Sequence, residues 1–258
     1  MTTGQRSPTI ARMYDYYLGG TENLDVDRAA ADQVIAAVPD VVAGIRQNRA
    51  FLGRAVRYLA AEAGVRQFVD IGAGLPTQGN VHEIAHEVDP TTSVVYVDYD
   101  PEVVAHAGAL LAGEPNAVAI EGDVRRPEEI FAHPGLRSLV DFDRPLAILM
   151  IAVVHFIPDA DGPASVVGRY RDALPAGGYL ALTHATADGI PPDAAASAME
   201  VYRSGVSPIH LRRRDEVTAQ LAGLELVDPG LVNVAEWRPD AGEPGGSKLM
   251  FYGAVGRR

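Results

Sequence analysis

Phe68-Val69-Asp70-Ile71-Gly72-Ala73-Gly74 is an apolar run that passes through a carboxylate and breaks on a Gly-x-Gly turn. Glycines at such a turn let backbone pass close to a bound ligand. A helix that follows points its free N-terminal amides back at the same spot. A second apolar run, Val94-Val95-Tyr96-Val97, ends in Asp98, a carboxylate placed to accept hydrogen bonds from ribose hydroxyls. A third ends near Gly122-Asp123-Val124. If the three runs are parallel strands, their carboxyl ends open on one crevice, where Asp70, Asp98 and Asp123 converge.

Charge narrows what that crevice takes. A dinucleotide fingerprint needs Gly-x-Gly-x-x-Gly, whereas Gly72-Ala73-Gly74 continues as Leu75-Pro76-Thr77. A negative charge at Asp70 is also awkward for a pyrophosphate. It suits the cationic amino group and sulfonium of S-adenosylmethionine, so that cofactor is favoured over NAD, and an NAD-binding oxidoreductase is a rival that Thr77 disfavours.

Other groups could share the chemistry. His155 lies in the longest apolar stretch, residues 146–157, and its ordinary pKa near neutrality suits a general base or a substrate-orienting group. It could equally be a hydrogen-bonded histidine at a strand end. Tyr14, Tyr16 and Tyr17 could cover a ligand, with Arg12 reaching its carboxylate. Three tyrosines within four positions cannot share one helix face, so at least one meets ligand or solvent. Asn48 and Arg49 read equally as polar residues of a helix face. His82-Glu83-Ile84-Ala85-His86 spells the zinc-hydrolase motif His-Glu-x-x-His. No third ligand follows, since the chain runs on as Glu87-Val88-Asp89-Pro90, and a chance match on the first helix after the glycine turn is the preferred reading. No metal is therefore expected. His106, His184 and His210 show no metal-ligand spacing, and neither a Gly-x-Ser-x-Gly elbow nor a phosphate loop occurs.

The elements that must position these groups follow from periodicity. Residues 1–66 read as a helical cap belonging to the same domain, with helices at 9–18, 25–38 and 41–63. The last carries an apolar stripe of Ile45, Leu52, Val56 and Leu59 and ends at Gly64. From residue 67 short strands alternate with helices: strands at 67–71, 93–97, 117–120, 146–153 and 179–183, helices at 78–88, 101–111 and 165–174, and a helical turn at 127–131. That alternation implies a doubly wound, mostly parallel α/β sheet. Helices at 193–202 and 215–222 follow, then strands at 224–227, 231–236 and 249–255 that suggest an antiparallel C-terminal edge on a seven-stranded sheet. Gly242–Ser247 reads as a surface connection.

Composition sets the outer bounds. A chain of 258 residues with 47% hydrophobic and 22% charged side chains suits one globular domain. A net charge of −12 argues against nucleic acid as the main partner. Arg212-Arg213-Arg214 is the one basic run and reads as a solvated cluster near a helix start. The absence of cysteine excludes disulfides, thiolate metal sites and a cysteine nucleophile. With no secretory signal or bilayer-length apolar stretch, the expectation is a soluble, cytoplasmic protein without a membrane partner.

On these residues the chain resembles a class I S-adenosylmethionine-dependent methyltransferase over about residues 67–258. Arg12-Met13-Tyr14-Asp15-Tyr16-Tyr17-Leu18-Gly19-Gly20 and Asn48-Arg49-Ala50-Phe51-Leu52 resemble a narrower bacterial branch, the S-adenosyl methyltransferase family, formerly a domain of unknown function. The resemblance implies a Rossmann-like fold and methyl transfer to a small-molecule acceptor, with a homodimer left open. It implies that Asp70, Gly72, Ala73 and Gly74 contact the methionine part of the cofactor. Asp98 would hold the ribose diol with Tyr99 beside the adenine, and Asp123 and Val124 would recognise the adenine. Residues 152–155, from Ala152 to His155, would line the methyl-transfer site, and residues 1–20 and 190–214 would recognise the substrate. Pro76 and Thr77 depart from the further glycine common in the class, so the cofactor's carboxylate end could be met by the N-terminal segment. A cofactor-binding regulatory protein without catalysis is the alternative from another class.

Overall fold

The computed structural model describes residues 7–76, 79–240 and 248–258. Three helices come first: α1 (Ile10–Leu18), α2 (Asp25–Ala37) and α3 (Val41–Arg57), the last running into a π turn over Tyr58–Glu62. Thr9 caps α1 by accepting the Arg12 amide, and Gly19 at φ 83° ends it in the left-handed conformation.

Strand and helix then alternate as β1 (Gln67–Ile71), α4 (Val81–Val88), β2 (Ser93–Asp98), α5 (Pro101–Leu110), β3 (Ala117–Glu121), α6 (Pro127–Ala132), α7 (Pro134–Leu139), β4 (Ala147–Met150), α8 (Pro163–Ala173) and β5 (Tyr179–Ala185). Every residue of β1, β4 and β5 is buried, as a parallel sheet covered on both faces requires. The tail supplies α9 (Pro192–Gly205), α10 (Arg214–Gln220), β6 (Glu225–Leu226), β7 (Val232–Asn233) and β8 (Phe251–Arg257). The sheet order is β3-β2-β1-β4-β5-β8-β6, with β7 also on β8. β3 to β5 run parallel, and β8 pairs antiparallel with β5, β6 and β7.

One apolar layer, including Met13, Phe51, Leu59 and Trp237, lies under the N-terminal helices. The other, including Ile71, Leu136, Ile148 and Tyr170, lies on the opposite face. α3 packs on α4 and β8, α1 on α2 and α3, and α2 on α9. The N-terminal helices thus roof the sheet together with the segment that follows β5.

Four expectations are corrected. The sheet has eight strands and not seven, because both short tail strands, expected at 224–227 and 231–236, pair with β8. β4 stops at Met150, since Ala152 takes φ 55° and Val154–Phe156 coil into a 3₁₀ turn. α4 begins at Val81, where the Glu83 carboxylate accepts the Asn80 amide at 2.8 Å. The strand expected over 231–236 is cut short because the Asn233 side chain accepts the Ala235 amide and Val234–Glu236 turn as 3₁₀, with buried Arg54 donating to Val234 O and Trp237 O. Thr77, Gln78 and Gly242–Ser247 lie outside the described residues.

Candidate active site

The carboxyl ends of β1, β2, β3 and β4 open on a crevice of about 360 Å³. That lies within the range of small-ligand sites. Asp70, Gly72, Ala73, Gly74, Asp98, Tyr99, Asp123, Val124, Ala152 and Tyr14 all line it. The topology explains the convergence: Asp70 sits in register with Tyr96 of β2 and Leu149 of β4, and the Gly72 amide donates to Val97 O at 2.8 Å.

Asp70 is only 6% exposed, and among the described residues no hydrogen-bond donor reaches its carboxylate. Burial pushes its pKa up to about 7; the Arg49 guanidinium pulls the other way and Asp98 adds to the rise. A carboxylate in this setting lacks a cation close enough to satisfy it. Asp98 Oδ2 accepts the Gly74 amide at 2.9 Å and Oδ1 the Asp100 amide at 3.0 Å. Burial still raises its pKa against those two amides. Gly72 and Gly74 take φ of 71° and 66°. A Cβ on Gly72 would stand 2.5 Å from the Val153 side chain, whereas one on Gly74 would meet nothing within 4 Å.

Tyr99 is 66% exposed at the rim. Asp123 is gripped by Arg125, whose Nε lies 3.0 and 3.1 Å from its two oxygens and whose Nη2 lies 2.6 Å from Oδ2. Those bonds hold the Asp123 carboxyl below its ordinary pKa. Arg125 reaches Asp161 as well, so it ties the end of β3 to the loop before α8. The Val124 carbonyl accepts from Tyr170 at 2.9 Å.

The tyrosines separate as helical geometry demands. Tyr14 faces the crevice and its hydroxyl accepts from Asn48 at 2.9 Å; Tyr16 turns outward to Asp32; Tyr17 is buried. Arg12, two positions from Tyr14 and so on the opposite face of α1, binds Glu102 on α5 and does not line the crevice. Among the described residues Arg49 of α3 and Arg125 are the arginines that do, and Arg49 also donates to Gly79 O at 3.1 Å. His210, in the segment between α9 and α10, also lines the crevice, and its Nε2 is buried without a partner among the described residues.

Next to the crevice lies an apolar chamber of about 80 Å³. Tyr17, Val34, Val38, Met199, Tyr202 and Phe251 are among its walls, and Ile10, Tyr14, Ala152 and Phe156 line both spaces. Ala152, on this shared wall, takes a left-handed conformation rare for a residue with a Cβ, its amide held by Thr183 Oγ1 at 2.9 Å. His155 lines the chamber and not the crevice. Its Nδ1 accepts the Ala185 amide at 3.3 Å, and burial, then His184, Arg212 and His210, drive its pKa well below the ordinary value.

His82 and His86 are occupied elsewhere. His82 Nδ1 is 2.7 Å from the Tyr96 hydroxyl and His86 Nε2 2.9 Å from Thr92 O. No cluster of three metal-binding side chains exists among the described residues. No described helix is long and apolar enough to cross a membrane.

The sequence model of the S-adenosyl methyltransferase family matches residues 3–258. This chain belongs to that family. A protein from Thermobifida fusca YX, described as a candidate methyltransferase, has a crystal structure that superposes with a TM-score of 0.92 at 41% identity, over 98% of this chain and 95% of that one. A DUF574 family protein from Streptomyces avermitilis superposes at 0.93 with 40% identity, over 98% of both chains. Human N-acetylserotonin methyltransferase, solved with S-adenosylmethionine, shares the fold at a TM-score of 0.51 and 15% identity, over 95% of this chain and 62% of that one. No curated protein matches.

The enzyme is an S-adenosylmethionine-dependent methyltransferase. Its crevice fits that cofactor on chemical grounds. The buried carboxyl of Asp70, only partly offset by Arg49, suits a cationic ammonium and sulfonium, and Arg49 suits a carboxylate. The open space before Gly74 admits close backbone approach. Arg125, His210 and the burial of Arg212 escaped the sequence reading, because neither spacing nor periodicity marks a side chain that a loop turns inward.

Proposed function

We propose that the methyltransferase acts on a small, mainly apolar acceptor whose body occupies the chamber and whose reacting atom reaches the crevice at the neck of Tyr14, Ala152 and Phe156. The observation that carries this reading is that the two spaces share the wall of Ile10, Tyr14, Ala152 and Phe156, with the acids Asp70, Asp98 and Asp123 on the crevice side and mainly apolar side chains around the chamber. When bound, S-adenosylmethionine supplies an electrophilic methyl group. The protein's work is then to hold the acceptor in line and exclude water.

The residues divide the task. Asp70 would hold the cofactor's cationic end, with Arg49 at its carboxylate, while the Gly72-Ala73-Gly74 turn shapes the bed. Asp98 has lone pairs left for the ribose diol. Tyr99 and Val124 would flank the adenine, with Asp123 at its amino group while Arg125 steadies that carboxylate. His210, with its buried and unpartnered Nε2 on the crevice wall, is the group suited to take a proton from the acceptor. His155 instead contributes to the chamber. Residues 192–205 supply its far wall through Ala195, Ala198, Met199 and Tyr202, which fits a role for this segment in substrate choice.

Incubation with S-adenosylmethionine and a panel of small phenols and N-heterocycles, read by mass spectrometry, tests the proposal. Methyl addition to an apolar ring compound, lost on filling the chamber by Ala198→Trp while cofactor binding persists, is the expected result. Turnover only with large polar substrates, unaffected by Ala198→Trp, would reject it.

A further inference from the structure

A buried chain of hydrogen bonds ends at His155. Arg212 is 4% exposed and donates from Nη1 to Val154 O at 3.3 Å and from Nη2 to Ile157 O at 2.8 Å and to Asp159 at 2.6 Å. Its Nη1 also lies 3.1 Å from His184 Nε2. A guanidinium can only donate, so His184 Nε2 is the accepting nitrogen. The other ring nitrogen of His184, Nδ1, lies 2.7 Å from Ala185 O. A carbonyl can only accept, so Nδ1 carries the proton, which agrees with the neutral form that a lone pair at Nε2 demands.

The same peptide unit region then fixes the second ring. The Ala185 N–H donates to His155 Nδ1 at 3.3 Å, which makes Nδ1 the acceptor and leaves the proton of the neutral ring on Nε2. Burial and the Arg212 cation both oppose a second proton on this ring. His155 is 3% exposed, packs against Phe156 and Phe251, and lines the chamber, and no described residue accepts a hydrogen bond from its Nε2. Around it the walls are almost wholly apolar.

We propose that His155 is a tautomer-locked hydrogen-bond donor, and that the chamber selects planar apolar compounds bearing a hydrogen-bond-accepting oxygen or nitrogen to meet its Nε2–H. The proposal rests on the chamber being the acceptor's site. Arg212 and His184 act through His155 as positioning residues. A ligand that offers only a donor to this corner leaves two N–H or O–H groups facing each other, and one without a polar atom leaves Nε2–H unsatisfied. Specificity follows from the mismatch as much as from the match.

The test uses three ring probes of similar size on enzyme loaded with S-adenosylhomocysteine: pyridine, an acceptor; pyrrole, a donor; and benzene, neither. Nitrogen-15 NMR of the labelled histidines at pH 7, with His155→Phe to assign the signal, reads the tautomer directly. The expected spectrum shows His155 protonated at Nε2 and His184 at Nδ1. Pyridine shifts the His155 Nε2–H resonance; pyrrole and benzene perturb the Ala195 and Ala198 methyls alone. His155→Phe lowers the affinity for pyridine relative to benzene about fivefold, the worth of one neutral hydrogen bond. His155 protonated at Nδ1, or pyrrole moving Nε2–H as pyridine does, would overturn the proposal. Silence of the Ala195 and Ala198 methyls with all three probes would overturn the chamber reading beneath it instead.

Discussion

Asp98 Oδ2 accepts the Gly74 amide at 2.9 Å, so the carboxylate that ends β2 also holds the glycine turn that follows β1. On the proposed assignment the same side chain also holds the cofactor's ribose, and the two duties can be separated. Asp98→Ala should lower the melting temperature and weaken S-adenosylmethionine at least tenfold, since a charge-assisted bond is worth about 1.5–3 kcal/mol. Asp98→Asn keeps an oxygen for the Gly74 amide but turns its NH2 toward the Asp100 amide, so it should recover part of the melting temperature and little of the affinity. Equal recovery of both in a thermal and calorimetric comparison would contradict the dual role.

Burial of the Asp70 carboxyl costs stability once it ionises. Its folded pKa, about 7, lies above the ordinary carboxyl value, so between those limits the folded state holds more protons than the unfolded one. The resulting stability is present in full below the unfolded pKa and is lost as pH rises through 7. In the cofactor-free protein Asp70→Asn should therefore gain on wild type as pH increases, reaching about 1–3 kcal/mol at pH 8. Chemical denaturation of both proteins at pH 5 and pH 8 checks this; a difference independent of pH would refute it.

The two turn glycines should respond differently. Gly72→Ala incurs both a left-handed backbone and a Cβ 2.5 Å from Val153, a combined cost of about 2–4 kcal/mol. Gly74→Ala incurs the backbone term alone, about 1–2 kcal/mol, but projects its methyl into open space at the crevice. Urea unfolding should rank Gly72→Ala as the less stable, and calorimetry should show the larger loss of affinity per unit of stability in Gly74→Ala.

The chamber can be closed without touching the crevice. Ala198→Trp should leave S-adenosylhomocysteine affinity within about twofold while abolishing benzene binding, because α9 lines only the chamber. Ligand-observed NMR distinguishes the two spaces. Parallel loss of both ligands would mean that they are not independent.

The parallel half of the fold was legible because a buried strand such as β4 announces itself as an unbroken apolar run, and the glycine turn marks the carboxyl end of β1. The acids Asp70, Asp98 and Asp123 followed from the same rule. Arg12 and Arg49 show where it fails. Both stand on helices near the crevice, and only the rotation of α1 against α3 turns one away and the other in. Arg212 lies in a basic run that looks solvated, yet the loop before α10 folds it beneath His184, a pairing 28 residues apart with no local signal. The tail strands expected over 224–227 and 231–236 are present, but only Glu225–Leu226 and Val232–Asn233 of them pair.

The central claim is that the cofactor's cationic end sits on the Asp70 carboxylate. Titrating S-adenosylmethionine calorimetrically at pH 6 in two buffers of different ionisation enthalpy tests it most directly. With a pKa of about 7, Asp70 is mostly protonated at that pH and must ionise to pair with a cation. Binding should release close to one proton at pH 6 and almost none at pH 8.5, and Asp70→Asn should lose both the release and at least tenfold in affinity. A buffer-independent enthalpy at pH 6, with affinity unchanged in Asp70→Asn, would contradict the account.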